Sequence, residues 1–264
     1  DQTGFYRVKY EPEALSYLES AIRNGELGDK DRLGLQGDAY ALCRAGYGSV
    51  SSFLSLSKSY SKENKAPVLS DLATNLRGIE NLIDDKSYFG KYREFWRGIF
   101  ETPAGICGWD RTQYEEHQQA LLRSTALSNM GHYGDKDTLD EASKRFFAYV
   151  ENSDEVHPDI RSVVFNLTAQ VSNRDIYNLM WELEKRSKLQ EEKVRFHSAL
   201  ASFDDENLLN ETLERSLTDD IRAQDTIRVI VAVSSSRKGR SLAWDFVRKN
   251  WPELDRRYGD GGFA

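Results

Sequence analysis

"HPDIRSVVFNLTAQVSNRDIYNLMWELEKR", residues 157–186, shows the pattern that decides the fold. Apolar residues recur every three or four positions in each half, as at Ile160, Val164 and Leu167, which is the spacing of one face of an α-helix. Ser172 and Asn173 separate the two halves, and this composition is typical of a turn. Two helices joined by so short a connection pack as an antiparallel pair. The stretch therefore predicts a helical hairpin.

The same rhythm continues on both sides of this hairpin. Downstream, helical patterns occupy "LQEEKVRFHSALASF", "DENLLNETLERSL", "DTIRVIVAVSSS" and "GRSLAWDFVRKNW", the last of which is the final predicted helix. "TIRVIVAV" (226–233) has β-branched residues typical of a strand, but its register with the neighbouring pairs predicts a buried helix. Upstream, helices are predicted in 29–46 and 69–84, then in the aromatic-rich "SYFGKYREFWRGIFE". The aromatic clusters around Trp96 and Phe146 are interpreted as core.

Successive pairs with low mutual identity indicate a degenerate helical repeat, closer to HEAT repeats than to a strict array. We predict an all-α fold, a curved α-solenoid of HEAT-like antiparallel helix pairs over residues 12–264. A single β-strand is predicted before it, over about residues 4–10, because the alternation in "GFYRVKY" has the period of a strand. A lone strand needs a sheet to join. Residues 1–11 are therefore expected to end an upstream domain, and the helical domain to be truncated at its C-terminal end.

Composition excludes several classes of protein. The 264 residues carry a net charge of -7, which argues against a nucleic-acid binder because such proteins need a basic surface. No apolar run is long enough for a membrane span, so no membrane partner is expected. Cys43 and Cys107 form no C-x-x-C motif and are expected to be reduced thiols of a cytoplasmic protein.

Catalytic motifs are missing from the sequence. The histidines are His117, His132, His157 and His197, and no two of them stand four apart as in H-E-x-x-H. There is no G-x-S-x-G nucleophile elbow either. We predict no catalytic residue, no metal ligand and no cofactor in this chain.

The segment "TPAGICGWDRTQYEE" (102–116) is predicted to be a long loop because it is rich in glycine and turn residues. Its Trp109 either anchors the loop or lines a surface that faces another domain. Trp109, Arg111 and Tyr114 are the candidate cavity-lining residues.

Five segments, in order, resemble the C-terminal part of zinc aminopeptidases of the puromycin-sensitive type. They are "GFYRVKY", "DRLGLQGDAYALCRAG", "GWDRTQYEEHQQALLR", "LQEEKVRFHSALA" and "RSLAWDFVRKNWPEL". The resemblance implies that "GFYR" closes an upstream β-sandwich and leads into a helical bowl that encloses the peptide cavity. It also implies that the zinc ion, its H-E-x-x-H ligands and the G-x-M-E-N loop belong to an upstream catalytic domain, since neither motif occurs here.

Two functions follow. In the first, the chain is the non-catalytic helical domain of a zinc metallo-aminopeptidase, a hydrolase that releases N-terminal residues from peptides. Its partners are then the upstream catalytic and β-sandwich domains and, through the cavity wall, the peptide substrate. In the second, it is a stand-alone helical-repeat scaffold that binds a protein or peptide on its concave face.

Overall fold

The regular structure of the protein is helical. The structure, a computed structural model, describes residues 6–259, and these contain fourteen α-helices, one 3₁₀ turn (Ser153–Glu155) and no β-strand. The all-α class predicted from the sequence is confirmed. None of the helices within residues 6–259 combines the length and the hydropathy that a membrane crossing requires.

The chain divides into two compact units, residues 1–138 and 139–264. The helices that begin in the first unit are α1 (Pro12–Arg23), α2 (Asp29–Arg44), α3 (Val50–Lys58), α4 (Ala66–Ile83), α5 (Phe89–Cys107), α6 (His117–His132) and α7 (Lys136–Glu151). Those of the second are α8 (Pro158–Gln170), α9 (Arg174–Arg186), α10 (Gln190–Leu200), α11 (Glu206–Arg215), α12 (Ala223–Ser234), α13 (Arg237–Lys249) and α14 (Trp251–Tyr258).

Local sequence explains where most of these helices begin. Pro12, Pro67, Pro158 and Pro252 each occupy the first turn of a helix, where a missing N–H costs nothing. Other helices start at a capping side chain, such as Asn173 before α9, whose Oδ1 accepts from two backbone N–H groups at 3.1 and 3.4 Å.

Each unit has two kinds of helix contact, between helices that are consecutive in the chain and between helices that are separated by one other helix. In the first unit α5 packs on α6, while α2, α4 and α6 contact one another in sequence and α3 contacts α5. In the second unit α12 packs on α13, while α8, α10 and α12 form one layer and α11 contacts α13. This alternation is the packing of a helical-repeat protein and agrees with the HEAT-like prediction.

Aromatic side chains fill both cores, as interpreted from the sequence. In the first unit Trp96 is fully buried and stacks on Tyr133 with ring centroids 4.0 Å apart. In the second unit Phe165 and Phe196 are stacked at 4.7 Å, and Tyr149 meets Phe165 edge-on at 4.8 Å. Such pairs add to the burial of their own surface.

The predicted strand does not form in residues 6–10, which are neither helix nor strand. Asp38 of α2 explains this difference, because its buried carboxylate accepts the Val8 N–H at 3.1 Å and the Arg7 guanidinium at 3.0 Å. The segment is thus bonded to a helix and not to a second strand. Residues 4 and 5 of the prediction lie outside the described residues.

Two helix ends also differ from the prediction. Residues 102–107 were predicted as loop but complete α5, where Pro103, Ala104 and Cys107 are buried. After "GRSLAWDFVRKNW" the chain forms a further helix, α14, whose Leu254 packs into a cluster with Leu213 and Val233. In both cases apolar burial outweighs a local breaker signal.

Candidate functional site

The three candidate residues lie on the connection between α5 and α6, residues 108–116, which we call the 108–116 loop. Helix α5 ends at Cys107, and Gly108 caps it with a φ of 56°, in the left-handed region that favours glycine. Helix α6 starts directly after Glu116. The loop therefore projects from the junction of two helices packed on each other.

A buried ion pair holds this loop to the helices. Arg123 of α6 is 2% exposed and Glu115 is fully buried at its side chain. The guanidinium donates to Glu115 Oε1 at 2.6 Å and, through its other terminal nitrogen, to Oε2. Its Nε also donates to the carbonyls of Cys107 at 3.3 Å and Gly108 at 3.1 Å. One side chain thus satisfies the C-terminal carbonyls of α5 and the end of the loop.

Electrostatics keep this pair charged. The hydrogen bond from Arg123 holds the pKa of Glu115 below its ordinary value, against the opposing effect of burial. The Thr112 N–H contributes in the same direction, donating to Glu115 Oε2 at 3.3 Å. Because both partners are buried, loss of either would leave an uncompensated charge in the interior.

The candidate residues differ in exposure. Tyr114 is 89% exposed, whereas Trp109 is half-buried. Arg111 is exposed and donates to the Glu115 carbonyl at 3.4 Å. The structure places all three on one fixed loop, with Tyr114 available to another molecule.

A second feature was not predicted: a polar groove between α4 and α6, which we call the α4–α6 groove. Its volume is about 560 Å³. Small and polar residues line it at Ser70, Ala73, Thr74, Arg77, Gly78 and Asn81 of α4 and at Ser124, Thr125, Ser128 and Asn129 of α6. The spacing of three and four within each set places it on one helix face, and this hydroxyl stripe is the signal that sequence analysis could have used.

The floor of the groove is fixed by hydrogen bonds. Ser70 and Thr125 join their hydroxyls at 3.0 Å across the two helices. Asn129 accepts from the Trp96 indole at 3.2 Å and donates to the Thr125 carbonyl at 2.7 Å. The Arg77 guanidinium approaches the Asn129 side-chain oxygen at 3.5 Å, which adds a positive charge to the groove. Hydroxyls, an amide and one guanidinium suit a peptide backbone or a carboxylate.

Comparison with known proteins identifies the family. The model of the ERAP1-like C-terminal domain matches residues 1–264. The chain belongs to this family. The predicted resemblance to the C-terminal part of an aminopeptidase is thereby confirmed.

Curated relatives of this ERAP1-like C-terminal domain are aminopeptidases. Aminopeptidase M1-A of Oryza sativa subsp. japonica is 34% identical over 95% of this chain and 29% of its own length. Aminopeptidase M1 of Arabidopsis thaliana is 32% identical over 99% of this chain and 30% of its own length. Glutamyl aminopeptidase of Bitis rhinoceros is 30% identical over 98% of this chain and 27% of its own length. The chain thus spans less than a third of these relatives.

Zinc is the metal that the resemblance implies. Within residues 6–259 no group of three or more His, Cys, Asp and Glu side chains lies close enough to hold a metal ion. The described part of this ERAP1-like C-terminal domain does not fit a zinc site.

Proposed function

We propose that this ERAP1-like C-terminal domain forms a wall of the peptide cavity in a zinc aminopeptidase that removes N-terminal residues. It carries no catalytic residue in this proposal. The observation that carries it is the α4–α6 groove, which is lined by hydroxyl, amide and guanidinium groups. The relatives that match almost the whole of this chain are aminopeptidases. These groups pair with peptide N–H and C=O groups without reacting with them.

The 108–116 loop supplies the rest of the wall. The loop leads directly into α6, the helix that supplies one side of the groove. We assign Trp109, Arg111 and Tyr114 to substrate contact, since Tyr114 is almost fully exposed on a loop that Arg123 and Glu115 hold in place. A loop backbone that is already held in place loses little conformational entropy when one of its side chains binds.

Catalysis is assigned to the other parts of the parent protein. A zinc ion held upstream would polarise the scissile carbonyl, and an upstream β-sandwich and catalytic domain would be the partners of this chain. The cytoplasm is the proposed compartment, which the free thiols Cys43 and Cys107 support.

Filling the groove tests this function. In the parent enzyme, Thr74→Trp should raise KM for an extended peptide and leave KM for an aminoacyl arylamide unchanged, because the smaller substrate does not reach the wall. Ser241→Trp, at an exposed hydroxyl on α13, is the matched control. Equal KM values for the peptide in Thr74→Trp and the control would remove the groove from the proposal.

The isolated chain tests the alternative of a stand-alone scaffold. It should leave aminoacyl arylamides uncleaved with or without added zinc. Hydrolysis that a chelator abolishes would contradict the assignment of catalysis to other domains. Tight binding of a protein partner by the isolated chain, with no effect of Thr74→Trp on the parent enzyme, would favour the scaffold.

A further inference from the structure

A separate cavity lies in the second unit between α8, α10 and α12. We call it the α10–α12 cavity, because residues of these two helices, including His197, Asp225 and Arg228, line most of it. Its volume is about 260 Å³. Pockets for drug-sized ligands have volumes of about 300 Å³ or more, so this cavity suits a smaller molecule. It shares no residue with the α4–α6 groove and stands independently of the proposed function.

His197, which lines the cavity, has one ring nitrogen that receives no hydrogen bond from within residues 6–259. The residue is 3% exposed, and its Nε2 lies 3.2 Å from Glu184 Oε1, which also accepts from Lys193 Nζ at 3.1 Å. Burial raises the pKa of Glu184, yet the hydrogen bonds from His197 and Lys193 outweigh it and hold that pKa below its ordinary value. Glu184 is therefore a carboxylate that only accepts, so Nε2 carries the proton of this bond.

The other ring nitrogen, Nδ1, is buried and has no hydrogen-bond partner among the described residues. In the tautomer that bonds to Glu184 through Nε2–H, Nδ1 presents a lone pair. A buried polar atom of this kind normally has a partner, and its absence calls for an explanation. A ligand that donates a hydrogen bond would supply one.

Asp225 and Arg228 place opposite charges on the same wall. Asp225 is buried and accepts from Gln190 at 3.1 Å and from Arg222 at 3.2 Å, both at Oδ2. Its Oδ1 remains to accept from a ligand. Arg228 lies one helical turn further along α12, is exposed, and makes no hydrogen bond or ion pair within residues 6–259. It is available to bind a carboxylate.

The neighbouring arginine differs. Arg195 also lines the cavity, but its guanidinium is occupied by the carboxylates of Glu191 and Glu192. The available groups are thus two acceptors, on His197 and Asp225, and one cation, on Arg228. The rest of the wall includes the aliphatic side chains of Val194 and Val229.

We infer that the α10–α12 cavity binds a free α-amino acid with an aliphatic side chain. The α-ammonium group donates to His197 Nδ1 and Asp225 Oδ1, and the α-carboxylate pairs with Arg228. Val194, Val229 and Ala232 contact the side chain. A zwitterion satisfies both signs of charge at once, whereas a simple anion would leave the two acceptors unpaired.

Calorimetric titration of the chain with L-leucine tests this site. Leucine should bind, while N-acetyl-L-leucine, which lacks the ammonium, and L-leucinamide, which lacks the carboxylate, should bind about tenfold more weakly or worse. If N-acetyl-L-leucine bound as tightly as leucine, the contacts assigned to the ammonium group would be wrong. If L-leucinamide did so, the pairing of the carboxylate with Arg228 would be wrong. Tighter binding of the dipeptide Leu-Leu would overturn the assignment to a single amino acid. No detectable binding of leucine at about 10 mM would overturn the site.

Substitutions locate the binding. Arg228→Gln should weaken leucine about tenfold, and because Arg228 is exposed and unpaired within residues 6–259 the variant should fold normally. Arg248→Gln, at an exposed arginine of α13 outside the cavity, is the matched control and should bind as the parent does. Ala232→Phe should abolish binding by filling the cavity. Unchanged affinity in Arg228→Gln or in a folded Ala232→Phe would overturn the proposal.

Discussion

The α4–α6 groove and the α10–α12 cavity occupy equivalent places in their units but differ in chemistry. Each lies between helices that are next-but-one neighbours in the chain. The groove holds about 560 Å³ and is lined by hydroxyls, while the cavity holds about 260 Å³ and is lined by charged and aliphatic groups. The repeat geometry thus provides a space between stacked helices, and side chains decide what each space can bind.

Two buried carboxylates, Glu115 in the first unit and Glu192 in the second, differ in their partners. In the first, one arginine, Arg123, is bonded to one carboxylate and two carbonyls. In the second, charges form a network, in which Glu192 accepts from Arg161 at 3.1 Å and pairs with Arg195. When one arginine of the network is removed, Glu192 keeps the other as a partner. When Arg123 is removed, Glu115 loses the arginine that donates to both of its carboxylate oxygens.

The largest expected effect is therefore the loss of Arg123. Arg123→Ala should lower the free energy of unfolding by about 3–5 kcal/mol, because Glu115 is left buried without its partner. Arg186→Ala, at an exposed arginine of α9, should change it by less than about 0.5 kcal/mol. Urea unfolding measures both. If Arg123→Ala lowered the free energy of unfolding as little as Arg186→Ala does, Glu115 would have to be neutral or solvated in the variant.

Two helix glycines, Gly239 and Gly78, differ in what an added Cβ would meet, backbone in one case and a side chain in the other. A Cβ at Gly239 would collide with the Val233 carbonyl, so Gly239→Ala should cost about 1–3 kcal/mol. A Cβ at Gly78 would collide with the Tyr40 hydroxyl, the tip of a side chain that can turn away. Gly78→Ala should cost less, and Tyr40→Phe should restore part of the loss.

Gly98→Ala is the control for both glycines, since a Cβ there meets nothing within 4 Å. It should stabilise α5 by about 0.5–1 kcal/mol. Thermal unfolding ranks the three variants. If Gly78→Ala cost more than Gly239→Ala, the α2–α4 contact would be the more rigid of the two.

Most of the fold could be predicted from periodicity, but tertiary contacts decided the exceptions. "TIRVIVAV" is helical in the structure as predicted, although its residues favour strands, since the repeat register required a helix there. Residues 102–107 were predicted as loop from their glycine and turn residues, but they complete α5 because Ala104 and Cys107 are buried there. Residues 6–10 have the period of a strand but bond to Asp38, whose place beside them depends on the packing of α2.

The candidate site was predictable only where residue type was unusual. Trp109, Arg111 and Tyr114 stood out in a segment without periodicity, and they do share one loop. The α4–α6 groove was missed because serines and threonines on a helix are ordinary surface residues until a neighbour is known. The free nitrogen of His197 depends on Glu184, thirteen positions away, and no local pattern reports that distance.

Acid should weaken the first unit through Glu115. Its pKa in the folded protein is below the ordinary value of 4.5, so its stabilisation is complete above that value and is lost as the pH falls through the folded pKa. The free energy of unfolding should therefore fall as the pH drops below about 4.5, and Glu115→Gln should show a shallower fall. Glu116→Gln, at the exposed neighbouring carboxylate, should keep the parent's slope. Parallel slopes for all three proteins would mean that Glu115 does not couple to folding.

Another small effect is expected at the floor of the α4–α6 groove. Ser70→Ala removes the 3.0 Å hydroxyl contact with Thr125 and should cost about 0.5–1.5 kcal/mol, the net value of one hydrogen bond. Thr125→Val, which removes the other hydroxyl, should cost a similar amount, and the double variant should cost less than the sum because one interaction is lost only once. Additive costs would show that water has replaced the contact. The groove would then be an open, solvated surface, and it would differ more from the α10–α12 cavity than the side-chain hydrogen bonds indicate.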